Sequence, residues 1–283
     1  MNFKNVYSSF AVSFEIFPPK TPDGEISLFD ELTSLKRFNP AFISVTYGAG
    51  GSTRDKTFDL AVKIRERLSI TPLIHFTCVG SGATVIRQHL ETAKQRGLTD
   101  ILALRGDPPR DSRDFIPPQD GFSHANELVA FIRSIGGFSV AVAGYPEKHP
   151  QATSFDDDVE HLKMKIDAGA ECVLTQFFFR NEDYFRLVDS LSSKGIHVPV
   201  IPGMLPITSV SQIEKFADLS GAVIPQDLKE RLLSSRTPDD TAAIGIEHCI
   251  RQCRDLKTNR VKGFHMYSLN KSKAVGEVLD SVL

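Results

Sequence analysis

Eight short runs of β-branched and aromatic residues punctuate the 283-residue chain: Val12–Phe17, Phe42–Tyr47, Leu73–Cys78, Ile101–Leu104, Val140–Ala143, Cys172–Phe178, Val198–Ile201 and Phe264–Tyr267. Their starts lie 30, 31, 28, 39, 32, 26 and 66 residues apart. Most of the intervals carry apolar residues at helical spacing. Phe155, Val159, Leu162 and Ile166, for example, advance by four, three and four and so draw one stripe down a helix. Gly97, Gly169 and Gly195 each stand just ahead of the next run, where a helix-ending glycine belongs.

Strands alternating with helices predict an α/β fold with a parallel sheet, because each return to the sheet needs a crossover. Eight such units in about 250 residues fit a single (β/α)₈ TIM barrel better than an open sheet. The long last interval predicts an extra helix around Pro225–Leu233, between the seventh and eighth strands. No low-complexity linker divides the chain, so one domain over residues 1–283 is expected.

In such a barrel the active site lies at the carboxyl ends of the strands. Polar residues gather there: Glu15, Thr46-Tyr47, His75 to Thr77, Arg105-Gly106-Asp107, Tyr145, Thr175-Gln176 and Tyr267. Strand ends turn polar on reaching solvent, which accounts for some of these but not for charges inside apolar runs. Glu15 sits in Val12-Ser13-Phe14-Glu15-Ile16-Phe17-Pro18-Pro19, and Asp107 follows Ile101-Leu102-Ala103-Leu104-Arg105-Gly106 and precedes Pro108-Pro109. A carboxylate in a buried strand is costly unless it is paired or titrates unusually. Two acids at equivalent ends of two core strands predict one shared site.

Composition narrows the partners. Hydrophobic residues make up 41%, charged residues 24%, and the net charge is −2. No basic block recommends nucleic acid or an anionic membrane, and no segment has the apolar length of a signal peptide or a membrane span. Cys78, Cys172, Cys249 and Cys253 predict a reduced, cytoplasmic chain. Cys249 and Cys253 stand at helical spacing beside His248, but a zinc site needs further paired ligands and none accompany them, so no metal is expected. The segment Tyr47-Gly48-Ala49-Gly50-Gly51-Ser52-Thr53 has G-x-G but places Thr53 where a dinucleotide fingerprint needs its third glycine. A βα loop that lets backbone approach a ligand is the better reading.

The collinear motifs resemble the methylenetetrahydrofolate reductase family. They are Phe14-Glu15-Ile16-Phe17-Pro18-Pro19, Val45-Thr46-Tyr47-Gly48-Ala49, His75-Phe76-Thr77-Cys78, Ala103-Leu104-Arg105-Gly106-Asp107, Tyr145-Pro146-Glu147, His149-Pro150 and Asp167-Ala168-Gly169-Ala170. Thr175-Gln176-Phe177-Phe178-Phe179, Ile201-Pro202-Gly203 and His265-Met266-Tyr267-Ser268-Leu269-Asn270 follow in order. The resemblance implies a barrel holding FAD noncovalently, reduced by NADH or NADPH, which then passes hydride to methylenetetrahydrofolate in a ping-pong cycle. Its expected partners are the folate, the nicotinamide nucleotide and further copies of itself in a homo-oligomer. Eukaryotic relatives carry an added regulatory domain; this chain ends after the barrel, so the short, bacterial-type form without that domain is expected.

The resemblance also assigns roles. Glu15 matches the proton donor: protonating one folate nitrogen opens the ring to an iminium ion that accepts hydride. An apolar strand that raises its carboxyl pKa would serve that task. Asp107 matches an aspartate beside flavin and folate, where a negative charge disfavours anionic reduced flavin and stabilises the iminium. One acid is thus expected to be held protonated and the other kept charged. Thr46, Tyr47, Ala49, His75, Arg105, Gly106, Tyr145, His149, Ala152, Asp158, His161 and Lys165 match flavin positions, with Thr46 also meeting nicotinamide or pterin. Asp158, His161 and Lys165 fall within a sector of about 60° on their helix, beside the apolar stripe. His161 stands where Asn can occur, and Met164 where Arg can occur; Met164 points away from the stripe and is expected to add little to FAD. Gln176, Gln212, Phe216 and Tyr267 match substrate positions. Lys271 stands where the family often has an Arg gripping the folate's glutamate tail, which keeps the charge but loses the bidentate fork.

Two rivals remain on this reading, and a third is excluded. A pterin-dependent methyltransferase barrel would need no flavin, and a reductase-like subunit would bind without catalysis. An aldolase-type Schiff-base barrel needs a lysine inside a core strand, and none of the eight runs has one.

Overall fold

Eight parallel strands close on themselves in sequence order, each hydrogen-bonded to the next and β8 back to β1. They are β1 Ala11–Ile16, β2 Phe42–Val45, β3 Pro72–Thr77, β4 Asp100–Leu104, β5 Ser139–Gly144, β6 Cys172–Phe177, β7 Val200–Met204 and β8 Gly263–Tyr267. The computed structural model describes residues 1–47, 54–107 and 118–283. The helices are α1 Phe3–Val6, α2 Pro22–Leu35, α3 Arg54–Leu68, α4 Ala83–Gln95, α5 Ala125–Ile135, α6 Phe155–Asp167, α7 Asn181–Ser193, α8 Val210–Ser220, α9 Gln226–Leu233, α10 Pro238–Thr258 and α11 Lys273–Val282.

All eight expected strands are present, and the extra helix between the last two is α9. Gly97, Gly169 and Gly195 have φ of +70°, +117° and +74°, the left-handed backbone that ends a helix where a Cβ would clash. The seventh strand starts at Val200, two residues later than its apolar pattern predicts. Pro199 precedes it and has no N–H for the ladder, though its carbonyl still accepts from Val173 N at 2.9 Å. Helix α1 has no counterpart in the sequence pattern, since four residues are too few to show a period.

Parity along the strands sets two layers. In β1, Val12, Phe14 and Ile16 pack outward with Leu28, Leu32 and Ile64 of the surrounding helices in the larger core. Ser13 and Glu15 therefore face the barrel interior, because successive strand side chains alternate. The lower interior is apolar, filled by Phe42, Leu73, Leu102, Ala141, Cys172, Leu174 and Ile201, and closed from below by Phe3 and Tyr7 of the α1 segment. Polar side chains near β1, β2, β3 and β8 share the upper interior, and at the opposite end Asp100 of β4 pairs with the Met1 amino group at 2.6 Å. Among the described residues, no helix is long and apolar enough to cross a membrane.

The four cysteines are free and buried. His248 turns away from Cys249 and Cys253, its Nε2 lying 3.1 Å from the carbonyl oxygen of Phe179.

Candidate active site

Glu15 is next to last in β1, in register with Ser44 of β2 and Tyr267 of β8. Its Oε2 lies 3.3 Å from His75 Nε2 and 3.6 Å from His265 Nε2, with the Ser44 hydroxyl donating at 3.5 Å. Only 18% of its side chain is exposed. Burial raises its carboxyl pKa, but the imidazoles of His75 and His265 outweigh burial and hold it down at about 2. The expected rise is therefore corrected: the apolar neighbours Phe14 and Ile16 point away from the carboxylate, and the side chains that do face it are imidazoles and a hydroxyl.

The loop after β8 fastens the end of β1. Ser268 Oγ donates to the Glu15 carbonyl at 2.7 Å, while Asn270 accepts from Phe17 N at 3.0 Å and donates to Phe17 O at 2.8 Å. Asn270 does so with φ of +59°, a conformation that asparagine tolerates better than most residues. Tyr267 sends its hydroxyl to Thr175 O at 2.9 Å across the barrel mouth, and burial, then the Glu15 charge, pushes its pKa up. Gly203 makes room for that ring: a Cβ there would run into the Thr175 carbonyl and come within 2.8 Å of Tyr267.

Two cavities adjoin at this rim and share Arg105, His149 and Gln151 as walls. The first, about 350 Å³, is also lined by Asp107, Tyr145, Gln176, Phe177, Phe216 and Leu219. The second, about 460 Å³, lies between the start of α5 and the flank of α6, lined by His124 to Glu127, Ala152, Asp158, His161, Met164 and Lys165. Arg105 borders both, and Gly106 directly after it turns the chain at φ +85°. Tyr145 and His149 meet edge to face at 4.7 Å between ring centroids. Burial, then the Asp107 charge, lifts the Tyr145 hydroxyl to about 12, and burial lowers the His149 imidazole.

Helix α6 arranges the second cavity. Ser154 caps it by accepting from Asp157 N at 3.1 Å, and Asp158 Oδ2 accepts from His149 N at 3.0 Å, tying the loop to the helix. Lys165, two turns on, donates to the Ala143 carbonyl at 2.7 Å, and burial lowers its ammonium to about 8. His161 is more exposed and stands 3.8 Å from Asp157. Met164 is 49% exposed, as helical phase demands, yet it forms part of the cavity wall.

Other predicted residues fall as follows. Thr46 is half-buried at the β2 end, its carbonyl accepting from Thr57 Oγ1 at 3.0 Å, and Tyr47 is half-buried beside it. Gln176 is half-buried and turns its Oε1 back to Phe177 N at 3.0 Å. Gln212 is exposed and borders, with Phe216, a separate crevice of about 10 Å³. Lys271 is 70% exposed and lies 3.5 Å from Glu31, outside both large cavities. Ala49 and the glycine loop around it lie outside the described residues, as do Pro108 and Pro109. Sequence reasoning missed Ser13, Ser44 and His265, and also the α5 start. Strand parity was the available signal for the first three, since Ser13 alternates with Glu15 and His265 with Tyr267.

A closed parallel barrel with a buried carboxylate and two polar cavities at its carboxyl end defines a (β/α)₈ protein with a strand-end site. The family model described as methylenetetrahydrofolate reductase matches residues 3–282. The "5,10-methylenetetrahydrofolate reductase" of Escherichia coli (strain K12) is 35% identical over 271 residues, 95% of this chain and 89% of that protein. The "Methylenetetrahydrofolate reductase (NADH) 1" of Arabidopsis thaliana is 34% identical over 281 residues, 95% of this chain, which spans 48% of that protein's length. An uncharacterized protein from Clostridium thermocellum, solved with two copies of 5-methyl-5,6,7,8-tetrahydrofolic acid, shares the fold with a TM-score of 0.67 at 15% identity, covering 99% of this chain and 98% of that one. The chain belongs to the methylenetetrahydrofolate reductase family.

Proposed function

We propose that this protein reduces 5,10-methylenetetrahydrofolate to 5-methyltetrahydrofolate with NADH or NADPH, through noncovalently bound FAD in a ping-pong cycle. Family membership supports the reaction, and one observation carries the mechanism: the Glu15–His75 pair stands at the same carboxyl end of the barrel as the cavity lined by Arg105, Asp107, Tyr145, His149 and Gln176.

The second cavity suits an anionic cofactor. The Arg105 and Lys165 cations line it, beside the first residues of α5, where Glu127 already accepts from Ser123 N and His124 N. Lys165 and Arg105 would hold the pyrophosphate, and Tyr145 and His149 would flank the groups that reach toward the first cavity. When bound, FAD would supply the hydride transfer between nicotinamide and folate.

The chain's own residues do the rest. Glu15 delivers a proton to the folate nitrogen, so that the N–C bond to the bridging methylene breaks and leaves an iminium carbon ready for hydride. Asp107, on the first cavity, offers its charge to that cation. Gln176 and Phe216 present an amide and an aromatic face to whichever planar ligand occupies the cavity.

Purification and anaerobic mixing test the reading. A yellow protein whose flavin is bleached by NADH or NADPH, and by methyltetrahydrofolate in reverse, supports it. A protein that is colourless and takes up no FAD overturns it and favours the methyltransferase alternative.

A further inference from the structure

Reduction of a methylene to a methyl group takes one hydride and one proton, and NAD(P)H supplies the hydride alone. Glu15 must therefore be reloaded with a proton in every turnover. His265 lies directly below it at 0% exposure, its ring held between Phe42 (centroids 5.8 Å apart) and Tyr267 (5.6 Å). Its Nδ1 lies 2.7 Å from Ser13 Oγ, and its Nε2 lies 3.3 Å from Ser44 Oγ and 3.6 Å from Glu15 Oε2.

These partners serve both protonation states of the ring. The Ser13 hydroxyl donates to a bare Nδ1, or accepts from a protonated one and turns its own hydrogen to Phe264 O at 3.5 Å. Ser44 Oγ accepts from Nε2–H and donates to Glu15 Oε2 at 3.5 Å, bridging the two. Neither state leaves a buried ring nitrogen orphaned, which is what a group that gains and loses a proton inside a core requires. His75 is nearer to Glu15, at 3.3 Å, but its Nε2 makes no aligned hydrogen bond.

We propose that His265 is a positioning residue that stores the proton for Glu15 and hands it on through Ser44. The inference rests on the proposed reductase function. After Glu15 has given its proton to the folate nitrogen, the Nε2–H bond of imidazolium His265 breaks and the Ser44 hydroxyl takes that hydrogen. The hydroxyl releases its own to the Glu15 carboxylate, forming O–H and leaving neutral imidazole, and solvent reloads the ring between turnovers. Glu15, His75, Tyr267 and, through Ser13, Tyr7 are the titratable groups facing this ring, with Cys172 beside Tyr7.

The test compares His265→Gln and Ser44→Ala with the parent protein, loaded with FAD, in the two half-reactions from pH 6 to 9. Flavin reduction by NAD(P)H moves no proton through Glu15 and keeps its rate. Reoxidation by methylenetetrahydrofolate falls about a hundredfold in His265→Gln at neutral pH, the low end of general-acid effects, and its pH transition moves to lower pH. Ser44→Ala keeps the ring and lowers reoxidation alone, so it tests the relay even where the Gln variant fails to fold. Reoxidation at the parental rate with an unmoved pH transition in either folded variant overturns the inference while leaving the reductase function intact. A parent whose flavin is not reduced by NAD(P)H overturns both.

Discussion

The Lys165 ammonium donates to the carbonyl of Ala143 at 2.7 Å, reaching from the third turn of α6 to the end of β5. That carbonyl and the nearby Asp158 charge do not fully compensate an ammonium taken out of water, and burial lowers its pKa to about 8. A site that holds a cation under such strain gains when an anion arrives.

Lys165→Met is expected to raise the thermal stability of the FAD-free protein at pH 7 and to weaken FAD binding about tenfold, the effect of losing a charge-assisted hydrogen bond. Scanning calorimetry of the apoprotein and flavin fluorescence titration would read the two. Weakened apoprotein stability with unchanged FAD affinity would show that the ammonium serves the fold instead.

Glu15→Gln is expected to retain flavin reduction by NAD(P)H and to lose reoxidation by methylenetetrahydrofolate by at least about a hundredfold. Anaerobic stopped-flow reads both steps in one experiment. Normal reoxidation in the variant would remove Glu15 from the proton-donor role.

Stability toward acid carries the signature of the same carboxylate. Its folded pKa of about 2 lies below the ordinary carboxyl value of 4.5, so the unfolded chain binds the proton first as pH falls. The Glu15 contribution is therefore full above pH 4.5 and is lost as pH falls from 4.5 toward 2. Urea unfolding should show Glu15→Gln less stable than the parent at pH 6, with the gap narrowing at pH 3; a gap that does not depend on pH would mean the imidazoles do not hold the charge.

Gly203→Ala is expected to destabilise the barrel by about 2 kcal/mol or more, as overpacking does, because the new methyl group meets the Thr175 carbonyl and the Tyr267 ring. The carbonyl is backbone and cannot move aside without disturbing the β6–β7 pairing. Chemical denaturation measures the loss, and a neutral substitution would show that β7 can shift.

At the outer rim, Glu31 accepts from both Ser272 N (2.7 Å) and Ser272 Oγ (2.5 Å) while standing 3.5 Å from Lys271. Lys271→Arg adds the planar fork that suits a carboxylate and is expected to tighten binding of polyglutamyl over monoglutamyl methyltetrahydrofolate a few-fold. Binding titrations with the two ligands give the ratio, and an unchanged ratio would place the tail elsewhere.

The spacing of eight apolar runs was enough to read the closed barrel, and the strand-end position of Glu15, Arg105, Asp107 and Tyr145 was enough to read one site, because chain direction alone puts those ends on one rim. Gly97, Gly169 and Gly195 marked helix ends from sequence because their backbone angles are a local matter. Tertiary structure decided the protonation of Glu15. Phe14 and Ile16 surround it in sequence but face the helices, while His75 and His265, 60 and 250 residues away, face it in space. It also decided that Met164 walls a cavity and that Lys271 answers to Glu31. A strand's neighbours along the chain fix its shape and parity; the charge state of a side chain depends on what the rest of the barrel brings within a few ångströms of it.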